Sequence, residues 1–301
     1  MNEPNWDLYR SFLAVLHRGS LSAGARALGL TQPTLGRHID TLEEALGHTL
    51  FVRSRHGFLP TEHAIQLRPY AEALAATAGA LLRAASSPGD EARGTVRITA
   101  SDVVGVEVLP PILARLHAAW PGLRIELALS NQTHDLLQRE ADIAVRMVRP
   151  SQEALVARHV GDIELGLYAQ RAYLDARGTP ASPAELARHA LIGFDHESQY
   201  IRRMKGQLGG LSRAMFSLRT DSDLAQLAAV RAGFGIGMCQ AGIAARDPTL
   251  VRLCAGEISI KLETWVAMHE DLRHSRRCAL VYAALADGLQ QYLNPAAPAR
   301  A

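Results

Sequence analysis

Residues 19–47 read GSLSAGARALGLTQPTLGRHIDTLEEALG, and this stretch decides the fold of the N-terminal part. Residues 29–31 leave only a short turn between two helical segments. Thr31 suits an N-cap, and Pro33 suits the first turn of the helix that follows. The apolar face of that helix repeats at helical spacing and consists of Leu35, Ile39, Leu42 and Leu46. The stretch therefore predicts a helix-turn-helix.

The flanking segments extend this unit on both sides. Residues 5–17 have the apolar spacing of an amphipathic helix, and Ser20 or Ser22 can cap a short helix over residues 23–28. After the helix-turn-helix, residues 50–52 and 58–59 read as two short strands around a basic turn. We therefore expect three helices followed by a basic wing.

The polar side of the third helix carries residue types that read DNA bases. Gln can pair with adenine, Arg with guanine, and Thr can offer a hydroxyl or meet a thymine methyl. We predict base contacts from Gln32, Thr34, Arg37 and His38, and phosphate contacts from Ser22, Thr31, Arg53 and Arg55, with Pro33 in the same DNA-binding set. The alternative is a solvated polar face on an ordinary three-helix unit.

Residues 62–86 predict a long helix with a coiled-coil seam. Small and apolar residues alternate at spacings of four and three along it, at Leu67, Ala71, Leu74, Ala78 and Leu81. Such a seam needs a partner helix, which indicates dimerisation; the alternative is packing against the helix's own domain. The sequence SSPGD at residues 86–90 then has the character of a linker.

The rest of the chain predicts an α/β domain. Strand-like residues 96–99, 124–129 and 142–145 are separated by helical stretches at 105–119 and 133–140. This βαβ rhythm predicts a mostly parallel sheet. Further strands are expected at 165–169, 191–194, 216–219, 235–239 and 264–268, and a last helix at 275–293.

Composition narrows the class of protein. The chain has 301 residues, 48% of them hydrophobic and 21% charged, which suits two globular domains. Its apolar stretches are too short for a membrane helix, and its first residues do not form a signal peptide. Three widely separated cysteines suit a reducing compartment. We therefore expect a cytoplasmic protein without a membrane partner.

Two short motifs resemble cofactor or metal sites but lack the required context. The glycines of residues 233–237 follow a predicted helix and precede a strand, the reverse of a dinucleotide fingerprint. His269 and His274 are five apart, whereas a zinc-binding helix needs a spacing of four. Motifs of hydrolases, kinases and nucleotide-binding loops are also missing from the sequence. We expect no cofactor, no metal and no enzymatic activity.

Taken together, several segments resemble the LysR-type transcriptional regulators. These are residues 19–39, residues 42–43, GHTLFVR at 47–53, LPT at 59–61 and LRPYA at 67–71. The resemblance implies an N-terminal all-α winged helix-turn-helix with a long linker helix and a C-terminal α/β effector domain of two subdomains, shaped like a periplasmic binding protein. The boundaries we expect are 1–60 for DNA binding, 61–86 for the linker helix, 87–93 for a hinge and 94–301 for the effector domain. Within that domain, subdomain I is 94–162 with 269–295, and subdomain II is 163–268.

The resemblance also places an effector cleft between the two subdomains, near strand ends and helix N-termini. The matching residues are Ser101, Asp102, Asn131, Thr133, Arg146, Phe194, Thr220 and Ser222. Ser101, Thr133 and Ser222 could equally cap helices. Arg146 suits carboxylate recognition, which favours an anionic effector, although it could instead pair with Asp102 or Asp195.

The function implied is sequence-specific binding to a promoter operator in double-stranded DNA, modulated by a small-molecule effector. A homodimer or homotetramer is expected, and RNA polymerase is a further candidate partner. Three alternatives stay open: a cytosolic small-molecule-binding protein whose N-terminal helices serve oligomerisation, an α/β enzyme with an accessory DNA-binding domain, and a peroxide sensor using Cys239 and Cys254.

Overall fold

The computed structural model describes residues 3–54, 57–85, 92–131, 141–150 and 155–294. The described chain separates into two compact units, residues up to 85 and residues from 92 onward. Each unit has a hydrophobic core of its own. The predicted linker helix thus belongs to the N-terminal unit, and most of the predicted hinge at 87–93 lies outside the described residues.

Three helices build the centre of the N-terminal unit, as predicted. They are α1 (Trp6–Arg18), α2 (Leu21–Leu28) and α3 (Gln32–Leu46). The turn between α2 and α3 depends on Gly29, whose φ of 67° lies in the left-handed region that side chains disfavour. Thr31 then caps α3, since its Oγ1 accepts a hydrogen bond from the Thr34 backbone N–H at 3.3 Å.

A wing and a long helix complete this unit. The antiparallel strands β1 (Phe51–Ser54) and β2 (Gly57–Pro60) form the wing, and α4 (Glu62–Ala85) follows. The backbone of Gly19 approaches the wing so closely that a Cβ on Gly57 would lie 2.7 Å from its carbonyl oxygen. Phe58 N–H donates to the same oxygen at 3.0 Å, which attaches the wing to the turn after α1.

The strands of the C-terminal unit form two sheets. They are β3 (Gly94–Ala100), β4 (Leu123–Leu129), β5 (Ile143–Arg146), β6 (Leu155–Gln170), β7 (Leu191–Gly193), β8 (Phe216–Arg219), β9 (Gly237–Gln240), β10 (Leu250–Leu253) and β11 (Ser259–His269). Seven of them form a sheet with the order β10-β6-β11-β5-β3-β4, in which β9 also pairs with β6. The other two, β7 and β8, form a separate parallel sheet.

The prediction of a mostly parallel sheet is wrong. Within the large sheet, β3 pairs in parallel with β4 and β5, whereas β6 pairs antiparallel with β9, β10 and β11, and β11 pairs antiparallel with β5. Every antiparallel pair of this sheet involves β6 or β11, and each of these strands extends well beyond the five-residue segment that the sequence predicted.

Helices cover this sheet, and their bounds agree with the sequence where the two can be compared. After β3 comes a π-helical turn (Val104–Val108), followed by α5 (Leu109–Ala119), α6 (Arg171–Arg177), α7 (Gln199–Met204), α8 (Asp223–Arg231), α9 (Ala241–Ala244) and α10 (Arg276–Leu293). Gly288 in α10 lets that helix approach α5, since a Cβ there would lie 2.7 Å from Ile112. The predicted helix at 133–140 lies outside the described residues. In the described ranges, no helix is both long and apolar enough to cross a membrane.

Candidate nucleic-acid interface and effector cleft

Helix α3 is amphipathic in the way that a base-reading helix requires. Leu35, Ile39 and Leu42 are buried in the core of the N-terminal unit. Arg37 is exposed on the other side of the helix, and Gln32 is exposed in its first turn. Each has a long side chain with hydrogen-bond donors at its end, the residue type that pairs with base edges.

The start of α3 carries a small network of hydroxyl and amide groups. The Oγ1 atoms of Thr31 and Thr34 lie 2.8 Å apart, so these two hydroxyls share one hydrogen bond. Ser22 on α2 donates through Oγ to Oε1 of Gln32 at 2.9 Å. Pro33 is exposed in the same turn. The structure thus brings together five of the predicted DNA-binding residues at one end of α3.

His38 does not join this exposed group, and the prediction that it reads a base needs correction. Its ring is half-buried, and Nδ1 lies 2.7 Å from Oγ of the fully buried Ser11 on α1. The hydrogen bond ties α3 to α1. His38 follows Leu35 by three residues, which places it beside the buried side of α3 and directs its ring toward α1. The sequence pattern alone did not show which residue would be its partner.

Of the two wing arginines that we predict to contact phosphate, the structure describes the backbone of one. Arg53 lies on β1, opposite Phe58 of β2. Arg55 lies outside the described residues.

The predicted dimer seam divides into two parts. Ala71 is buried within the core of the N-terminal unit, and Leu67 packs against the same core. For these two residues the prediction of a seam facing a partner helix is wrong, because α4 lies against its own unit there. Further along α4, Ala78 is half-buried, and Leu74 and Leu81 are 42% and 70% exposed. This later part of the helix therefore keeps seam residues on its surface, and Ile65 and Tyr70 are exposed in the earlier part.

In the C-terminal unit, Asn131 brings together residues from three elements. Its Oδ1 accepts from the backbone N–H of Asp102 at 3.1 Å, and its Nδ2 donates to Oδ2 of Asp102 at 3.3 Å and to Oδ2 of Asp223 at 3.1 Å. Asp102 follows β3, Asn131 follows β4, and Asp223 begins α8. The predicted effector residues Asp102 and Asn131 are therefore neighbours.

Asp223 is a residue that the sequence analysis missed. Partial desolvation of its carboxyl group and the nearby charge of Asp102 raise its pKa, although the residue keeps an exposed surface. The sequence offered one signal for Asp223: it is an acidic residue in the first turn of a helix that follows a predicted strand. Two carboxylates that share one amide make this site acidic rather than basic.

The hydroxyl residues of the predicted cleft contact other residues of the C-terminal unit. Ser101 Oγ lies 3.3 Å from the sulfur of Met147. Ser222 caps α8, because its Oγ accepts from the Ala225 N–H at 3.2 Å, and its own N–H donates to Oγ1 of Thr220 at 3.2 Å. The helix-cap alternative therefore holds for Ser222. Thr133 lies outside the described residues.

Arg146 and Phe194 are buried in this structure rather than exposed at the predicted cleft. Arg146 is only 7% exposed, and its Nη2 donates to Oγ1 of Thr99 at 2.7 Å, so burial and this hydrogen bond weaken the prediction that it recognises a carboxylate of the effector. Phe194 is buried with its ring edge-on to Phe216 at a centroid distance of 5.1 Å, which makes it a core residue. Arg146 ends β5 and Phe194 directly follows β7, and both side chains are turned inward there.

Charged groups elsewhere at these loop ends form pairs. Arg213 Nη2 donates to Oδ1 of Asp195 at 2.8 Å. Oδ2 of Asp221 lies 2.6 Å from Nδ1 of the exposed His196, and this contact raises the pKa of His196. Among the residues that the structure describes, no group of three or more His, Cys, Asp or Glu is arranged to hold a metal ion.

Comparisons with known proteins agree with this architecture. The family model of the bacterial regulatory helix-turn-helix protein, lysR family, matches residues 6–65, and that of the LysR substrate binding domain matches residues 89–290. An HTH-type transcriptional regulator of Xanthomonas campestris is 30% identical over 183 residues, which are 61% of this chain and 53% of the relative. The match thus spans about half the length of that relative.

Two solved structures share the fold over nearly the whole chain. CrgA from Neisseria meningitidis, a LysR-type transcriptional regulator, has a TM-score of 0.57 at 23% identity and covers 96% of this chain and 99% of its own. Full-length CbnR in complex with its target DNA has a TM-score of 0.61 at 18% identity, with coverage of 96% and 99%.

Proposed function

Since the chain belongs to the LysR family, with both the helix-turn-helix and the substrate-binding domain matched, we propose that it is a transcription regulator. It binds an operator in double-stranded DNA, and a small molecule bound in the C-terminal unit changes its activity. No catalytic role and no cofactor are part of this function.

The observation that supports DNA binding is the exposed polar side of α3. Arg37 lies opposite the buried apolar side of the helix, and Gln32 is exposed in its first turn, where the base-reading residues of a helix in the major groove lie. Thr34 accompanies them, while Thr31 and Arg53 contact the phosphate backbone. CbnR, which shares the fold, has been seen with its target DNA.

The effector binds where the ends of β3 and β4 meet the start of α8, around Asn131. Ser101, Asp102 and Thr220 border this place, and the proposed subdomains, 94–162 with 269–295 and 163–268, meet there. An anionic effector loses its strongest support, because Arg146 is buried against Thr99 and the charged side chains beside Asn131 are Asp102 and Asp223. The effector shifts regulation only to the extent that it binds one arrangement of the protein better than another.

The working form is a homodimer or homotetramer. The exposed Leu74 and Leu81 on α4 support this, because a partner helix would cover them. We place the protein in the cytoplasm, where its operator lies, and RNA polymerase is a further candidate partner at the promoter.

Fluorescence anisotropy with labelled duplexes tests this function. The full-length protein is titrated with the DNA upstream of its own gene, and with genomic fragments that it enriches, against a random-sequence competitor over a range of salt concentrations. We expect a specificity ratio above about 10³ and a steep salt dependence. Arg37→Ala should cost about 1 to 3 kcal/mol on the operator only, and Arg53→Ala should weaken binding to all sequences alike.

Weak binding that is equal on every duplex would favour the alternative, a small-molecule-binding protein whose N-terminal helices serve oligomerisation. An equal loss on operator and random DNA for Arg37→Ala would contradict the role given to that residue.

A further inference from the structure

The hydrogen bond between Ser22 and Gln32 joins the two helices of the helix-turn-helix at the end that faces DNA. Ser22 is half-buried on α2, and Gln32 is the first residue of α3. The Oγ of Ser22 lies 2.9 Å from Oε1 of Gln32, with Ser22 as the donor. The two residues are ten positions apart and meet only because the turn before Thr31 is so short.

The number of hydrogens on Ser22 limits what it can do. A serine hydroxyl has one hydrogen to donate, and phosphate oxygens only accept. While that hydrogen points at Gln32, Ser22 cannot also donate it to a DNA phosphate. The role of Ser22 as a phosphate contact and its observed contact with Gln32 therefore compete for the same hydrogen.

The same contact determines which end of the Gln32 amide faces outward. With Oε1 held by Ser22, the two hydrogens of Nε2 project away from α2. An amide held in this orientation presents donors to the groove. Donors match base atoms that accept, which in the major groove are N7 and O6 of guanine, N7 of adenine and O4 of thymine.

We propose that Ser22 is a positioning residue that sets the base preference of Gln32 by fixing its amide with Nε2 outward. The inference rests on the DNA-binding function proposed above. Arg37, by contrast, has a long exposed side chain for which the described residues show no such anchor. Gln32 is thus the preorganised reader of α3, and preorganisation lowers the entropic cost of each contact that it makes.

The experiment begins with wild-type full-length protein and a library of random duplexes, from which selection and sequencing yield the preferred site. Gln32→Ala then identifies the base pair that Gln32 reads, as the position where preference is lost. Binding of each variant is measured by anisotropy at one salt concentration on four duplexes that differ at this base pair and on a random duplex. Thermal unfolding checks that each variant is folded.

For Ser22→Ala we expect a loss of roughly 5- to 30-fold on the preferred site and less than about twofold on random DNA. The four duplexes should bind almost equally, and Ser22→Ala should add no further loss to Gln32→Ala. Ser22→Thr, which keeps the hydroxyl, should restore the preference. Equal weakening on all duplexes would identify Ser22 as a phosphate contact and overturn the proposal, as would unchanged binding by Ser22→Ala.

Gln32→Glu tests the same contact by changing Gln32 instead of Ser22. A glutamate can still accept from Ser22 but has no Nε2 donors, so preference should move to cytosine, whose N4 donates. Retention of the original preference by Gln32→Glu would also overturn the proposal. Failure of the wild type to enrich any sequence would instead reject the DNA-binding function itself, before any variant is tested.

Discussion

Arg231 and Glu107 form a two-pronged ion pair, with Nη1 donating to Oε1 at 2.7 Å and Nη2 donating to Oε2 at 2.9 Å. Glu107 lies in the π-helical turn after β3, and Arg231 ends α8. Arg246 adds a hydrogen bond to the backbone carbonyl of Glu107 at 2.8 Å. A single turn of the chain is thereby attached to α8 and to the segment after α9. Residues on both sides of the proposed effector cleft meet in this contact.

Glu107→Gln should lower the free energy of unfolding by about 1 kcal/mol at neutral pH, because a bidentate, partly buried carboxylate pair is lost. Hydrogen bonding to Arg231 holds the pKa of Glu107 below its ordinary value of 4.5. A lowered pKa stabilises the fold above the unfolded-state value, and this stabilisation disappears as the pH falls through the folded-state value. The gap between wild type and variant in urea unfolding should therefore narrow in acid. Glu126→Gln, which removes an exposed pair with Arg97, is the matched control and should change little.

Ser11→Ala should destabilise the N-terminal unit by about 1 to 2 kcal/mol, because it leaves the half-buried ring of His38 without its hydroxyl partner. Urea unfolding followed by the far-ultraviolet helix signal measures this loss. Thr77→Ala is a suitable control, since that hydroxyl bonds only to the carbonyl of Ala73 on exposed α4 and alanine favours helices. Equal stability of Ser11→Ala and wild type would show that the contact with His38 contributes nothing.

Glu164 is expected to titrate far into the acid range. Hydrogen bonds from Arg252 and then Ser259 lower its pKa from 4.5 to about 2. The stability it provides is complete above about 4.5 and disappears as the pH falls toward 2. NMR titration of labelled glutamate side chains should find this low pKa, and Ser259→Ala should raise it without returning it to 4.5. A Glu164 pKa near 4.5 in the wild type would contradict the hydrogen-bonded arrangement.

Cys239 should be unreactive in the folded protein. Burial raises its pKa to about 11, so almost none of it is thiolate at neutral pH. An aromatic disulfide reagent should modify the half-buried Cys254 first and Cys239 only after denaturation. Rapid labelling of Cys239 in the native Cys254→Ser variant would contradict this prediction and favour the peroxide-sensor alternative.

Leu81→Glu and Ala71→Glu should have different effects, because we expect the later part of α4 to serve dimerisation and the earlier part to stabilise the N-terminal unit. Leu81 is exposed, so its substitution should shift sedimentation toward the monomer without loosening the N-terminal unit. Ala71 is buried, and a charge there should cost about 3 kcal/mol or more of stability. An unchanged oligomer in Leu81→Glu would remove this end of α4 from the dimer interface.

Features that depend on neighbouring residues could be predicted from the sequence. The helix boundaries at Gly29, Thr31 and Gly47 follow from local backbone preference and capping, which act within one turn. The apolar side of α3 follows from its 3.6-residue periodicity. The resemblance of residues 19–71 to one family then extended this local pattern to the fold of the whole chain.

Features that depend on residues far apart in the chain were decided by the tertiary structure alone. Arg146 meets Thr99 across 47 positions and His38 meets Ser11 across 27, and neither partner could be chosen by spacing. The antiparallel course of β6 and β11 likewise depends on which edges pair. A buried polar group needs a hydrogen-bond partner, and many residues of the sequence have a suitable donor or acceptor. Only the packing of the folded chain determines which of them is close enough.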